Sequence, residues 1–252
     1  MTSNNSYRRI GLIVPSSNVT METEIPALLR AREAIFSDRF TFHASRMRMK
    51  NVSKEELERM DDDSLRCALE LSDAAVDVQA YACLVAIMSR GQGYHRVAEK
   101  RLYEASLKND FPSPIVSSAG ALIDSLHEIG AKKVSIICPY MKPLTQLVVD
   151  YIESEGIEVQ DFMALEIADN LEVAAQDPNA PAELWKKLDV NGVDAIIASA
   201  CVQMPSLSSI EKIEKASGLP TLSAAVATTR SILQTLKLNP VAPGGGALLA
   251  AR

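Results

Sequence analysis

Two pentapeptides of this 252-residue chain hold the residues best able to do chemistry: Tyr81-Ala-Cys-Leu-Val85 and Ser199-Ala-Cys-Val-Gln203. Each closes an apolar run, the first opened by Val76-Asp77 and the second by Val193-Asp194. A thiol becomes a nucleophile or a proton carrier where its surroundings stabilise the thiolate. A buried cysteine on its own usually packs as a small hydrophobe. That reading suits Cys67, inside a helical pattern, and Cys138, inside an apolar strand. Cys83 and Cys201 differ because they recur at matching places in a repeat. Two thiols facing each other across a cleft could attack, or exchange protons with, opposite faces of a small planar substrate.

The elements that would position them alternate along the chain. Arg9–Pro15, Phe40–Ser45, Val76–Val85 and Pro114–Ser117 read as strands. Helical patterns fill the intervals: one near Met21–Arg32, one opened by a Ser53-x-x-Glu56 capping box, and one over His95–Leu107. The order then restarts. Ala121–Ile129 is helical up to Gly130. Lys133–Pro139 repeats the pattern of Arg9–Pro15, a basic residue, an apolar run and a proline. A helix with Pro143 in its first turn runs to Gly156. Strands follow at Ile157–Ile167, Val193–Cys201 and Pro220–Ser223, with helices at Ala182–Leu188 and Ser206–Ala216. Continuous apolar strands separated by helices imply parallel sheets covered on both faces. The fold class is therefore α/β, with two similar Rossmann-like halves related by a pseudo-two-fold axis. The expected division is residues 1–118, joined by a C-terminal helix over 224–252, and residues 119–223.

In such sheets ligands bind beyond the carboxyl ends of the strands. That rule selects Asn18 after the first strand, Tyr140 after its twin, Asn170 after the strand ending near Ile167, and the two cysteines, all converging on the cleft between the halves. Asn18 could equally be a turn or cap residue, Tyr140 a packing aromatic, and Asn170 a helix start. Arg46, Arg48 and Lys50 read as a solvated basic face, with Met47–Ser53 a candidate lid. His95 reads as a surface residue at a helix start. Pro243–Gly246 has no strand before it and reads as a flexible tail or flap rather than a phosphate loop.

Composition narrows the function classes. The net charge of −6 argues against a nucleic-acid partner. Apolar runs of about eight residues are too short to cross a membrane. Without an export pattern, the expected location is the cytoplasm, where thiols stay reduced. The four cysteines form no C-x-x-C pair and the three histidines are scattered, so structural zinc is not expected.

The motifs Val14-Pro-Ser-Ser-Asn18, Thr20-Met-Glu-Thr-Glu-Ile-Pro26, Tyr81-Ala-Cys-Leu-Val-Ala-Ile-Met88, Pro139-Tyr-Met-Lys-Pro143, Ala164-Leu-Glu-Ile-Ala-Asp-Asn170 and Ser199-Ala-Cys-Val-Gln203 span nearly the whole chain. Together they resemble the aspartate/glutamate racemase superfamily, and within it the maleate cis-trans isomerases. The resemblance implies that Cys83 adds to an alkene carbon of maleate, giving a succinyl-cysteine-like adduct free to rotate, while Cys201 handles the proton on the way to fumarate. It implies that Asn18, Tyr140 and Asn170 hold the carboxylates, with backbone amides near Leu84, Val85, Val202 and Gln203. It further implies no cofactor and no metal, an even-numbered homo-oligomer such as a homodimer, and a place in the breakdown of nicotinate or a related aromatic acid. Amino-acid racemases of the superfamily tend to follow their cysteines with a polar pair such as Asn-Thr. Leu84-Val85 and Val202-Gln203 stand there instead, which disfavours an amino-acid substrate. Arylmalonate decarboxylases keep only one of the two cysteines. A two-lobed binding module without turnover would have a similar architecture but no need of either thiol.

Overall fold

The computed structural model describes residues 7–49 and 54–251. Two parallel sheets of four strands organise them. The first contains β1 (Arg8–Pro15), β2 (Phe40–Met47), β3 (Val78–Tyr81) and β4 (Ile115–Ser117), in the order β2-β1-β3-β4. The second contains β5 (Lys133–Cys138), β6 (Glu158–Ala164), β7 (Ala195–Ser199) and β8 (Thr221–Ser223), in the order β6-β5-β7-β8. The same order occurs twice, so the repeat read in the sequence is also a repeat in space. The helices are α1 (Met21–Glu33), α2 (Lys54–Asp73), α3 (Leu84–Met88), α4 (Tyr94–Ser106), α5 (Ser118–Glu128), α6 (Lys142–Ser154), α7 (Asn170–Ala174), α8 (Pro181–Leu184), α9 (Leu207–Ser217) and α10 (Ala224–Thr235).

Matched side chains build the two halves. Asp77 opens the third strand run and accepts a hydrogen bond from the Arg9 N–H at 2.7 Å; Asp194 does the same for the Lys133 N–H at 2.9 Å. Each aspartate ties the entry of a central strand to its neighbour. Ser117 caps α5 through the Gly120 N–H, and Ser223 caps α10 through the Val226 N–H, so each short strand hands directly into a helix. The two capped helices pack on each other, with the Thr228 hydroxyl 3.1 Å from that of Ser118, and α10 also lies against α1. Gly130 and Gly218 end α5 and α9 with left-handed φ of 75° and 74°, where a Cβ would be strained.

Several expectations need correction. The central strands are shorter than read, and Leu84 and Val85, read as the end of the third strand, instead open the buried helix Leu84–Met88. A short continuous apolar run cannot distinguish a buried strand from a buried helix. β2 continues to Met47. Ser53 of the capping box and Lys50 of the basic cluster lie outside the described residues. His95 is buried, at 3 % exposure, because Tyr151 reaches it from α6: the tyrosine hydroxyl bonds both the His95 N–H and Nδ1. The C-terminal glycines are not a loose tail. The Ala247 N–H bonds both oxygens of Glu214 at 2.9 and 3.0 Å, and Leu248 and Leu249 are buried. A Cβ on Gly246 would come within 2.8 Å of Glu214 and 2.7 Å of Ile210, so this anchorage requires glycine.

Candidate active site

The last backbone bonds of the central strands aim the two cysteines. The Ala82 N–H donates to Ile13 O at 2.8 Å, and the Ala200 N–H donates to Ile137 O at 3.0 Å. The next residue in each case is the cysteine, released from its strand at the carboxyl end of its sheet. The Cys83 backbone, at φ −147° and ψ 89°, turns the chain into α3. Both thiols border one cavity, together with Pro15, Asn18, Met49, Val85, Tyr140, Asn170, Val202 and Gln203. Its volume is about 20 Å³, room for roughly one water molecule.

The two thiols differ electrostatically. Burial pushes Cys83 up to about 12, eased by the Ala86 N–H and worsened by Cys201 and Asp61. Burial also raises Cys201, but three donors oppose it: the Tyr140 hydroxyl and the N–H groups of Gln203 and Met204. The Gln203 N–H lies 3.2 Å from the Cys201 sulfur. Tyr140 itself is held far above its ordinary pKa by burial and by Cys201, so it stays a neutral hydroxyl. It sits beside the Cys201 thiol without a hydrogen bond of regular geometry, so its one proton can turn from that sulfur to a ligand.

Asn18, Asn170 and Gln203 knit the loops around this cavity. Asn18 is fully buried; its carbonyl oxygen accepts from the Met21 N–H at 3.1 Å and its amide donates to Val202 O at 2.9 Å. Its cap role and its place in the cavity therefore coexist. The Asn170 amide donates to the Ser17 hydroxyl at 2.7 Å. The Gln203 side chain accepts from the Val19 N–H at 3.1 Å and donates to Ser17 O at 2.8 Å and Asn170 O at 3.0 Å. The loop leading to Asn170 is zipped to that of Tyr140: Leu165, Glu166 and Ile167 donate to the carbonyls of Cys138, Tyr140 and Pro139. Arg46 is exposed, as read, and also braces the site from outside, donating to Ser16 O at 2.9 Å and Asn18 O at 3.0 Å while pairing with Glu22. Among the described residues no arginine lines the cavity.

Glu24 closes the seam between the halves. One carboxylate oxygen accepts from the N–H groups of Ser206 and Leu207, at 2.6 and 2.8 Å, at the start of α9. Burial raises its pKa, outweighing the lowering by those two bonds. A carboxyl whose folded pKa is raised binds its proton more tightly in the native state, so stability falls as pH rises from the unfolded value toward the folded one and stays lower above it. Glu24→Gln keeps the acceptor without the charge. It is expected to stabilise the protein at pH 8 by on the order of 1 kcal/mol, and to lose that advantage as the pH drops toward 4.5. Thermal melts of both proteins over that pH range check it.

Of the residues chosen from the sequence, Asn18, Cys83, Val85, Tyr140, Asn170, Cys201, Val202 and Gln203 line the cavity, whereas Leu84 is buried behind it. The sequence reading chose neither Pro15 nor Ser17, and it placed Met49 only within the candidate lid Met47–Ser53, of which residues 50–53 lie outside the described residues. Met49 follows the end of β2, where the strand-end rule could have found it; its N–H and carbonyl both bond the Ser16 hydroxyl. Ser17 had no signal beyond its adjacency to Asn18. Among the described residues no cluster of His, Cys, Asp or Glu has the makings of a metal site, and no helix is long and apolar enough to cross a membrane.

The family model described as arylmalonate decarboxylase matches residues 10–249. A maleate isomerase of Pseudomonas putida is 59% identical over 242 residues, covering 96% of this chain and 97% of that protein. A crystal structure of a Pseudomonas putida maleate isomerase superposes with a TM-score of 0.96 at 60% identity, covering 98% and 99% of the two chains. A cysteine-to-serine variant of the Nocardia farcinica maleate cis-trans isomerase, solved with a covalently bound succinylcysteine intermediate, superposes with a TM-score of 0.93 at 45% identity, covering 97% and 98%. With identities this high over nearly its whole length, and with two thiols at one cavity, this chain belongs to the maleate isomerase family.

Proposed function

We propose that the protein isomerises maleate to fumarate through a covalent adduct on Cys83. The carrying observation is the pair of buried thiols at one cavity whose polar lining is neutral. The π bond of maleate blocks rotation, and a thiolate removes it by adding to one alkene carbon. The electron pair moves to the neighbouring carbon and its carboxylate, and that carbon takes a proton from Cys201. The adduct rotates about what is now a single bond. Cys201 then removes the proton, the electron pair re-forms the alkene as the trans isomer, and the Cys83 thiolate leaves. Bonds and protons balance, and both thiols return to their starting states.

The asymmetry of the two sulfurs supports this assignment. Cys201, with three donors, accommodates negative charge more readily and suits the proton carrier. Cys83, with fewer, is the more basic and intrinsically more nucleophilic thiolate. The Tyr140 hydroxyl and the amides of Asn18 and Asn170 are preorganised donors for the carboxylates, worth more in a water-excluding cavity than in water. The first N–H groups of α3, at Leu84 and Val85, have no intrahelical partner and can serve the same end. The cavity must widen to admit a four-carbon dicarboxylate. An aryl substituent would need still more room against Met49, Val85 and Val202, which disfavours arylmalonate decarboxylation. Free, functional thiols fit a reducing compartment such as the cytoplasm, and a homodimer or higher even homo-oligomer follows from the resemblance.

Incubating the purified, reduced protein with maleate and following fumarate by NMR tests the reading; no conversion with all thiols intact refutes it. Because burial raises both thiols and addition needs a thiolate, kcat/KM is expected to climb roughly tenfold per pH unit between about pH 6.5 and 8.5. A profile flat across that range would contradict thiolate attack.

A further inference from the structure

The two cysteine pentapeptides differ at their first residue. Ser199 turns inward, its hydroxyl 3.0 Å from Cys201 O and 3.2 Å from Met204 O. Its counterpart Tyr81 is fully buried and reaches out of the sheet to α2, donating to Asp61 Oδ1 at 3.0 Å. Asp61 is itself only 2% exposed. Its other oxygen takes the Tyr94 hydroxyl at 2.6 Å and the Arg101 guanidinium at 3.1 Å, with Arg90 Nε at 3.7 Å. Tyr81 lies two residues before Cys83, and Arg90 lies two residues beyond the end of α3. One buried carboxylate thus grips both ends of the segment that presents the thiol.

We propose that Asp61 is a positioning residue for Cys83 that sets the two cysteines apart, fixing the Tyr81–Arg90 segment and placing a buried negative charge behind one sulfur and not behind the other. This rests on Cys83 being the nucleophile. Rigid presentation matters because a misplacement of about 1 Å at the attacking atom can cost on the order of 10²-fold in rate. The charge opposes ionisation of Cys83, in line with the Asp61 contribution to its raised pKa. The other groups facing Cys83 are Tyr81 on its own strand and Cys201 and Tyr140 across the cavity. Arg90 and Arg101 offset the carboxylate in part.

Two substitutions separate position from charge. Asp61→Asn keeps an acceptor for Tyr81 but deletes the charge; Tyr81→Phe deletes the bond but keeps the charge. Each protein is treated with iodoacetamide at several pH values, and labelling of the Cys83 and Cys201 peptides is followed by mass spectrometry beside steady-state turnover of maleate. Asp61→Asn is expected to raise the Cys83:Cys201 labelling ratio at least about threefold. Tyr81→Phe should leave that ratio within about twofold while lowering kcat roughly tenfold, with KM little changed. An unchanged or lower ratio in Asp61→Asn, or a wild-type kcat in Tyr81→Phe, overturns the proposal. Should Asp61→Asn fail to fold with its arginines unpaired, the Tyr81→Phe kcat decides alone. If wild-type protein fully labelled at Cys83 still turns over maleate, the nucleophile assignment fails, while the labelling ratio still reports on Asp61.

Discussion

Cys83→Ala is expected to lose maleate turnover by on the order of 10⁴-fold or more while melting within a few degrees of the wild type. The side chain is buried but small, so its truncation leaves little void, and the one bond lost is the weak one from the Ala86 N–H to its sulfur. The chemistry has no substitute. Cys201 lies at the same cavity, but its sulfur accepts the Gln203 N–H and is the one that must carry the proton. Cys201→Ala is expected to be nearly as inactive for a different reason: addition can begin, but no thiol delivers or removes the proton. Stopped assays with fumarate detection by NMR measure both, and wild-type-like turnover in either variant would remove that residue's assigned role.

Gln203→Ala is expected to cost both stability and rate. Its side chain joins three loops through Val19 N–H, Ser17 O and Asn170 O, and it is 2% exposed. Truncation strands one donor and two acceptors in a seam that is buried or part-buried, at a cost of about 2–4 kcal/mol. The same bonds hold Asn18, Asn170 and the Cys201 loop in register, so kcat/KM should fall roughly 10²-fold. Gln203→Glu should be worse than its near-identical shape implies: it faces two carbonyl oxygens with an acceptor and adds a negative charge where a dianion must bind. Denaturant melts and steady-state kinetics check both effects. A Gln203→Ala protein with wild-type stability would show that the seam does not hold the halves together.

Much of this was legible in the residues. The alternation of apolar runs and helical patterns gave two parallel α/β halves, and the strand-end rule led to Asn18, Cys83, Tyr140, Asn170 and Cys201, which the fold gathers at one cavity. What stayed hidden depended on partners distant in sequence. His95 is buried because Tyr151, 56 residues away, meets it. Arg46 is a brace because β2 ends beside the Ser16–Asn18 turn. The glycine-rich C-terminal stretch is fixed because Glu214, 33 residues earlier, offers its carboxylate to Ala247. Leu84 and Val85 looked like the end of a strand because uniform apolarity carries no period. Local patterns announce elements and their ends, but they do not announce which side chain another element will supply.

The most direct test of the account is to quench the protein with acid during turnover of maleate, digest it and weigh the cysteine peptides. The Cys83 peptide should carry the mass of one maleic acid, and the adduct should accumulate further in Cys201→Ser, where the returning proton transfer is impaired. An adduct on Cys201 alone, or turnover with no adduct on Cys83 in either protein, would contradict it.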